Sequence, residues 1–170
     1  MDEAEIRKKT VGLVNRYFTP LAIILVLSAI IFSESYGRGF YAALILMGIA
    51  VLNNVITVFI VAKKEWLRTL RVVVNLLVNI GLVYLLITYW YPIWFLLLLT
   101  PVATGVYSSR AHTWVTSVLV AALLMAIYAA KGLFGLYYWG QAFNHALLII
   151  FLSLFVNSIT QLNKTPENKK

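Results

Sequence analysis

Six long apolar stretches alternate along the chain with short polar or aromatic breaks. The stretches cover roughly residues 17–32, 40–62, 70–89, 93–108, 113–130 and 141–161. Each approaches or reaches the roughly 17–25 residues that an α-helix needs to cross a bilayer core. Backbone placed in hydrocarbon must satisfy its own hydrogen bonds, so stretches of this length predict helices and not open strands. The expected fold class is all-α, a polytopic integral membrane protein with a single six-helix bundle over residues 17–161. A segment at residues 1–16 precedes the bundle and a polar tail at residues 162–170 follows it.

The breaks have distinct characters. Residues 34–39 form a short polar turn. Lys63, Lys64, Glu65, Arg68 and Arg71 form a basic linker, with Trp66 and Leu67 as its interfacial anchors. Tyr89, Trp90, Tyr91, Pro92, Ile93 and Trp94 make an aromatic knot, broken at the proline, where two spans turn at the lipid–water interface. The loop from Ser109 through Arg110 and Ala111 to His112 is small and polar. Residues 131–140 form a second aromatic loop with Phe134, Tyr137, Tyr138 and Trp139. Pro20 sits in the first turn of its span, where proline is tolerated, whereas Pro101 falls inside the fourth span and predicts a kink and a hinge.

Charge placement orients these elements. Six spans put both termini on one side, and that side holds Arg7, Lys8, Lys9, Arg16, Lys63, Lys64, Arg68, Arg71, Arg110, Lys164, Lys169 and Lys170. The other side holds only Arg38 and Lys131. This asymmetry predicts cytoplasmic termini in a bacterial-type cytoplasmic (inner) membrane, with both aromatic loops outside. It also gives the net charge of +8 a membrane explanation: the basic residues set topology and touch anionic lipid. Nucleic acid is not an expected partner, because no clustered basic face with a soluble reading element is present.

Composition agrees with the pattern. Hydrophobic residues make up 62% of the chain and charged residues 12%, about half the roughly 25% of a soluble domain. Mean hydropathy is +0.87. The basic N-terminus resembles a signal sequence, but no convincing small-residue cleavage site follows, and it is expected to remain as the first span. The chain has no cysteine, which excludes disulfides and thiolate chemistry.

The reactive groups narrow the function further. All six acids, Asp2, Glu3, Glu5, Glu34, Glu65 and Glu167, fall outside the predicted spans. Proton relays, aspartyl intramembrane proteases and magnesium-dependent transferases need a carboxylate within them. His112 and His145 differ in depth by about 20 Å, too far to share a metal or haem. Ser108 and Ser109 lie near His112, but no neighbouring carboxylate would orient that histidine as a base. The expectation is a protein that is not an enzyme, with no metal and no cofactor.

Two polar groupings stand out. Asn75 and Asn79 share a face of the third span, and Asn53 and Asn54 lie at similar depth on the second, predicting an amide seam that Asn157 could join, with Ser158, Thr116 and Ser117 at comparable depth. Trp90, Trp94, Tyr138, Trp139 and His145 would line a ligand site between the two outer loops, with Pro101 as the route inward. Ala122, Ala126 and Ala130 form a small-residue stripe suited to close helix packing.

From Arg68 onward, the order of features resembles the membrane-embedded input region of bacterial sensor histidine kinases. The resembling features are the basic linker over residues 63–71, the Tyr91-Pro92 turn, and the Thr100-Pro101 span ending at Ser108-Ser109-Arg110. Residues 145–162 also resemble the exit helix that feeds a kinase. Redox-responsive members carry a glycine- and asparagine-rich turn associated with quinone, where this chain has residues 88–94. The resemblance covers about residues 63–162 and implies a sensory input without its own kinase output, working through a protein partner or a homo-oligomer in the membrane. Two other readings fit the same pattern: a small-molecule (vitamin-like) substrate-binding subunit of a transporter, and a structural or accessory subunit of a larger membrane complex.

Overall fold

The computed structural model describes the backbone of residues 3–32, 38–60 and 65–164, and the side chains of 16–32, 39–54, 70, 72–106 and 108–162. The polar turn at 34–39 falls almost wholly outside the described residues. So do Lys63, Lys64, the tail from residue 165, and the side chains of Glu65, Trp66, Leu67, Arg68 and Arg71.

The fold is all-α. Six α-helices follow in order: α1 Glu3–Phe32, α2 Arg38–Ile60, α3 Glu65–Leu86, α4 Phe95–Tyr107, α5 Arg110–Ala130 and α6 Leu136–Lys164, with a 3₁₀ turn at Tyr91–Trp94 between α3 and α4. No strand occurs among the described residues. Two stretches, Arg110–Ala130 and Leu136–Leu162, are long and apolar enough to cross a membrane. Shorter apolar stretches occupy Arg16–Phe32, Gly39–Asn54, Val72–Leu86 and Tyr91–Val106.

The chain divides into two compact units, one of Asn15–Leu97 and one of Met1–Val14 with Leu98–Lys170. In the Asn15–Leu97 unit, α2 pairs with α3, and the 3₁₀ turn packs on α3. Val78, Leu82, Val83, Leu86 and Ile87 are buried at helical spacing along α3 and its continuation. Gly81 lets the pair approach: a Cβ there would lie 2.9 Å from Leu46 Cδ1. The knot is less of a surface feature than its composition suggests. Ile93 and Trp94 are buried, and Trp94 stacks on Phe95 with ring centroids 4.2 Å apart. Pro92 supplies a fixed φ and no N–H, so the chain turns there before α4 begins.

In the second unit, α5 pairs with α6. Buried positions on α5 are Thr113, Ser117, Val120, Ala121, Leu124, Ile127 and Tyr128; those on α6 are Ala142, Ala146, Ile149, Ser153 and Asn157. The small residues of the interface are thus mainly on α6, and α5 turns its large residues toward them. That arrangement corrects the expected role of the alanine stripe: Ala122, Ala126 and Ala130 are all exposed. Burying Leu124 and Tyr128 removes more apolar surface than burying alanines would.

The α5–α6 turn is tighter than the predicted loop. Gly132, at φ +67°, ends α5 in a Schellman motif, with Gly132 N–H donating to Ala129 O at 3.0 Å and Leu133 N–H to Tyr128 O at 3.1 Å. Helix α6 then starts at Leu136 and takes Tyr137, Tyr138 and Trp139 into its first turn. The aromatic loop expected over residues 131–140 therefore shrinks to a short turn. The outward faces remain strongly apolar, with Val115, Phe151 and Phe155 each more than 60% exposed.

Candidate functional site

The amide seam is the first polar feature the fold assembles. Asn53 and Asn54 are consecutive on α2, so they straddle the line facing α3, and both reach Asn75. Asn53 Nδ2 donates to Asn75 Oδ1 at 2.9 Å, and Asn75 Nδ2 donates to Asn54 Oδ1 at 3.2 Å. Asn75 thus acts as both acceptor and donor between two neighbours. Asn79, one turn on, bonds elsewhere: its Nδ2 donates to the Leu96 carbonyl at 3.0 Å. Asn54 and Asn79 also border a narrow cleft, otherwise lined mainly by aliphatic residues of α1 and α2, with a cavity volume of only about 20 Å³.

Asn157 belongs to the other unit, where it ties α6 to the end of α4. Its Nδ2 donates to Gly105 O at 2.9 Å and to Ser108 O at 3.1 Å, and Gln161 Nε2 reaches Ser108 O at 3.3 Å. Glycine is needed here. A Cβ on Gly105 would lie 2.8 Å from the Ser153 carbonyl oxygen and 3.4 Å from Asn157 N. Thr113, Ser117 and Ser153 are fully buried in the same unit. Ser117 was within reach of the sequence pattern, but Thr113, Ser153 and Gly105 were missed. For Thr113 and Ser153 the signal is the recurrence of small polar residues on α5 and α6 at positions that share the faces of Val120, Leu124 and Ile149; Gly105 on α4 has none. Thr116 is half-buried, and Ser158 is exposed.

Pro101 is buried inside α4 and deprives Leu97 O of its helical donor. Thr104 Oγ1 donates to Thr100 O at 3.0 Å, a local bond that often accompanies bending. The division between the two compact units falls between Leu97 and Leu98, one turn before Pro101.

The proposed ligand-lining residues fall to different units, Trp90 and Trp94 to one and Tyr138, Trp139 and His145 to the other. Trp94 is in the core of its unit, whereas Trp139 is on the surface. His145 has a partner that the sequence did not indicate, the buried Tyr128 on α5, with Oη 3.4 Å from His145 Nδ1. At the start of α5, Ser109 caps the helix. Its Oγ accepts from His112 N–H at 3.5 Å and lies 2.8 Å from His112 Nδ1. This is a helix cap closed by a histidine, with no carboxylate in the described contacts to make it a catalytic array. No group of three or more His, Cys, Asp or Glu that could hold a metal occurs among the described residues.

Asparagine amides and hydroxyls carry no net charge and do not titrate in the physiological range, so these clusters can form, break and exchange hydrogen bonds but not relay protons by ionising. Comparison with protein families, with characterised proteins and with solved structures returns no match.

Proposed function

We propose that this chain is a multi-pass protein of a bacterial-type cytoplasmic membrane, with six spans and both termini inside. It acts without catalysis as a sensory or regulatory module through a partner protein. The observation that carries this reading is the pinning of α4 on both sides of Pro101. Asn79 holds the Leu96 carbonyl before the proline, and Asn157 holds Gly105 and Ser108 after it. An apolar helix interrupted by proline and held at each end by uncharged, exchangeable hydrogen bonds is an element that can adopt two packings. The strong asymmetry of basic residues supports the topology, and the apolar outward faces of α5 and α6 support contact with lipid.

One other reading is a substrate-binding subunit of a transporter, for which the cleft bordered by Asn54 and Asn79 would have to widen well beyond its about 20 Å³. Native mass spectrometry after mild solubilisation separates them. Co-purification of a stoichiometric signalling partner supports the module, a bound small molecule supports the carrier, and a bare chain overturns both. Topology is checked separately. The native chain has no cysteine, so a single cysteine replacing Phe134 should react with an impermeant reagent in intact cells, and one replacing Ser109 only after permeabilisation. The reverse pattern would overturn the assigned orientation.

A further inference from the structure

The buried polar cluster of α4, α5 and α6 has more acceptors than donors. Thr113, Ser117, Ser153 and Asn157 are each 0% exposed. The Thr113 hydroxyl donates to Ser109 O at 3.1 Å, the Ser117 hydroxyl to Thr113 O at 2.8 Å with Trp114 O at 3.0 Å, and the Ser153 hydroxyl to Ile149 O at 2.6 Å. A hydroxyl has one proton, so these three are spent on their own helices, while their oxygens can still accept. Asn157 spends its amide protons on Gly105 O and Ser108 O. Its Oδ1 is buried and has no hydrogen-bond partner. Turning the amide over would set Oδ1 against two carbonyl oxygens, so the hydrogen-bond network fixes its orientation.

We infer that Asn157 Oδ1 anchors a binding site for one small, uncharged hydrogen-bond donor, a water molecule, that completes the junction of α4 and α6. A buried carbonyl left unmet is costly, and the hydroxyls of Thr113, Ser117 and Ser153 and both amide protons of Asn157 are already spent elsewhere. Water brings two protons and no charge, and a buried site of this kind typically gives it about three partners. A cation is disfavoured because the cluster holds no carboxylate to offset its desolvation. An occupant with a carbon skeleton is disfavoured on the α4 side, where a single Cβ on Gly105 would already stand 2.8 Å from Ser153 O. The site lies between the end of α4 and the inner half of α6, so its occupancy contributes to holding that half in place.

The test is a crystal structure of the full chain from a lipidic mesophase, at a resolution that shows ordered solvent, paired with thermal melts in detergent. The expected result is a single solvent peak at about 2.7–3.2 Å from Asn157 Oδ1. The melting temperature should be the same in sodium and in choline chloride of equal ionic strength. An ordered Asn157 with no peak at Oδ1 would overturn the inference. So would a side-chain donor found on that oxygen. A peak ringed by five or six oxygens, or a melting temperature raised by sodium over choline, would make the occupant a cation and overturn it as well.

Discussion

The α2–α3 and α5–α6 hairpins both place polar side chains on apolar helices, and they satisfy them differently. In α2–α3, amides bond to amides: Asn75 sits between Asn53 and Asn54, and each bond joins two side chains. In α5–α6, the hydroxyls bond back to their own helices, and the one buried amide among the described residues, Asn157, bonds to backbone at the end of α4. The difference teaches where specificity resides. A side-chain pair can be replaced from both sides by apolar residues at little cost, because no polar group is then left over. A backbone carbonyl cannot be removed, so the lock on Gly105 depends on Asn157 alone, while Ser108 O is shared with Gln161.

This contrast can be broken experimentally, and the largest expected effect is at Gly105. Gly105→Ala should destabilise the chain by about 3 kcal/mol, the upper range for overpacking, because the added Cβ meets the Ser153 backbone oxygen at 2.8 Å and not a movable side chain. The measurement is reversible unfolding in mixed detergent, and a variant as stable as the native chain would refute the close approach of α4 and α6. Next comes Asn157→Leu, which strips the side-chain donor from Gly105 O and leaves Ser108 O to Gln161 alone, and should cost about 2 kcal/mol in the same assay.

Asn75→Leu should be milder, about 1 kcal/mol, since interhelical hydrogen bonds in membranes average well below 1 kcal/mol each and two are lost. Replacing Asn53, Asn54 and Asn75 together by leucine should cost less than the sum of the three single changes. Strict additivity would show that the seam is not a unit. Asn79→Leu should lower stability by about 0.6 kcal/mol through its bond to Leu96 O, while Asn144→Leu, at an exposed position, should leave the melt unchanged. Equal effects at the two sites would remove the distinction between seam and surface. A small effect is also expected for Gly81→Ala, within about 0.5 kcal/mol: its Cβ meets only the flexible end of Leu46, and the gain in helix propensity offsets the crowding. The pair Gly81 and Gly105 therefore separates a glycine that is convenient from one that is required.

Much of this was legible along the chain. Apolar length gave the helices, because the backbone must close its hydrogen bonds within each stretch wherever water is scarce. The four-residue spacing of Asn75 and Asn79, set against Asn53 and Asn54 across a short linker, was enough to pair α2 with α3. It was not enough to show that Asn79 would leave the seam for Leu96 O, since a backbone acceptor beyond the Pro92 turn has no sequence signature. Helix ends were less legible. A glycine at residue 132 ends α5, and the helix resumes only four residues later, so aromatic residues that look like a loop belong to a helical turn.

The sequence by itself determined the class of structure: all-α and apolar, with its charges at or beyond the ends of the long apolar stretches and, among the described residues, buried polar side chains limited to amides and hydroxyls. Composition and period decide those features, and both are local. The tertiary structure alone decided which small residues do the packing. It turned Ala122, Ala126 and Ala130 outward, set Leu124 and Tyr128 on the α5 face that is buried, and brought Gly105 against Ser153 so that Asn157 could reach two carbonyls. Those choices depend on which faces meet across dozens of intervening residues, and hydrophobic periodicity does not distinguish one apolar face of a uniformly apolar helix from another.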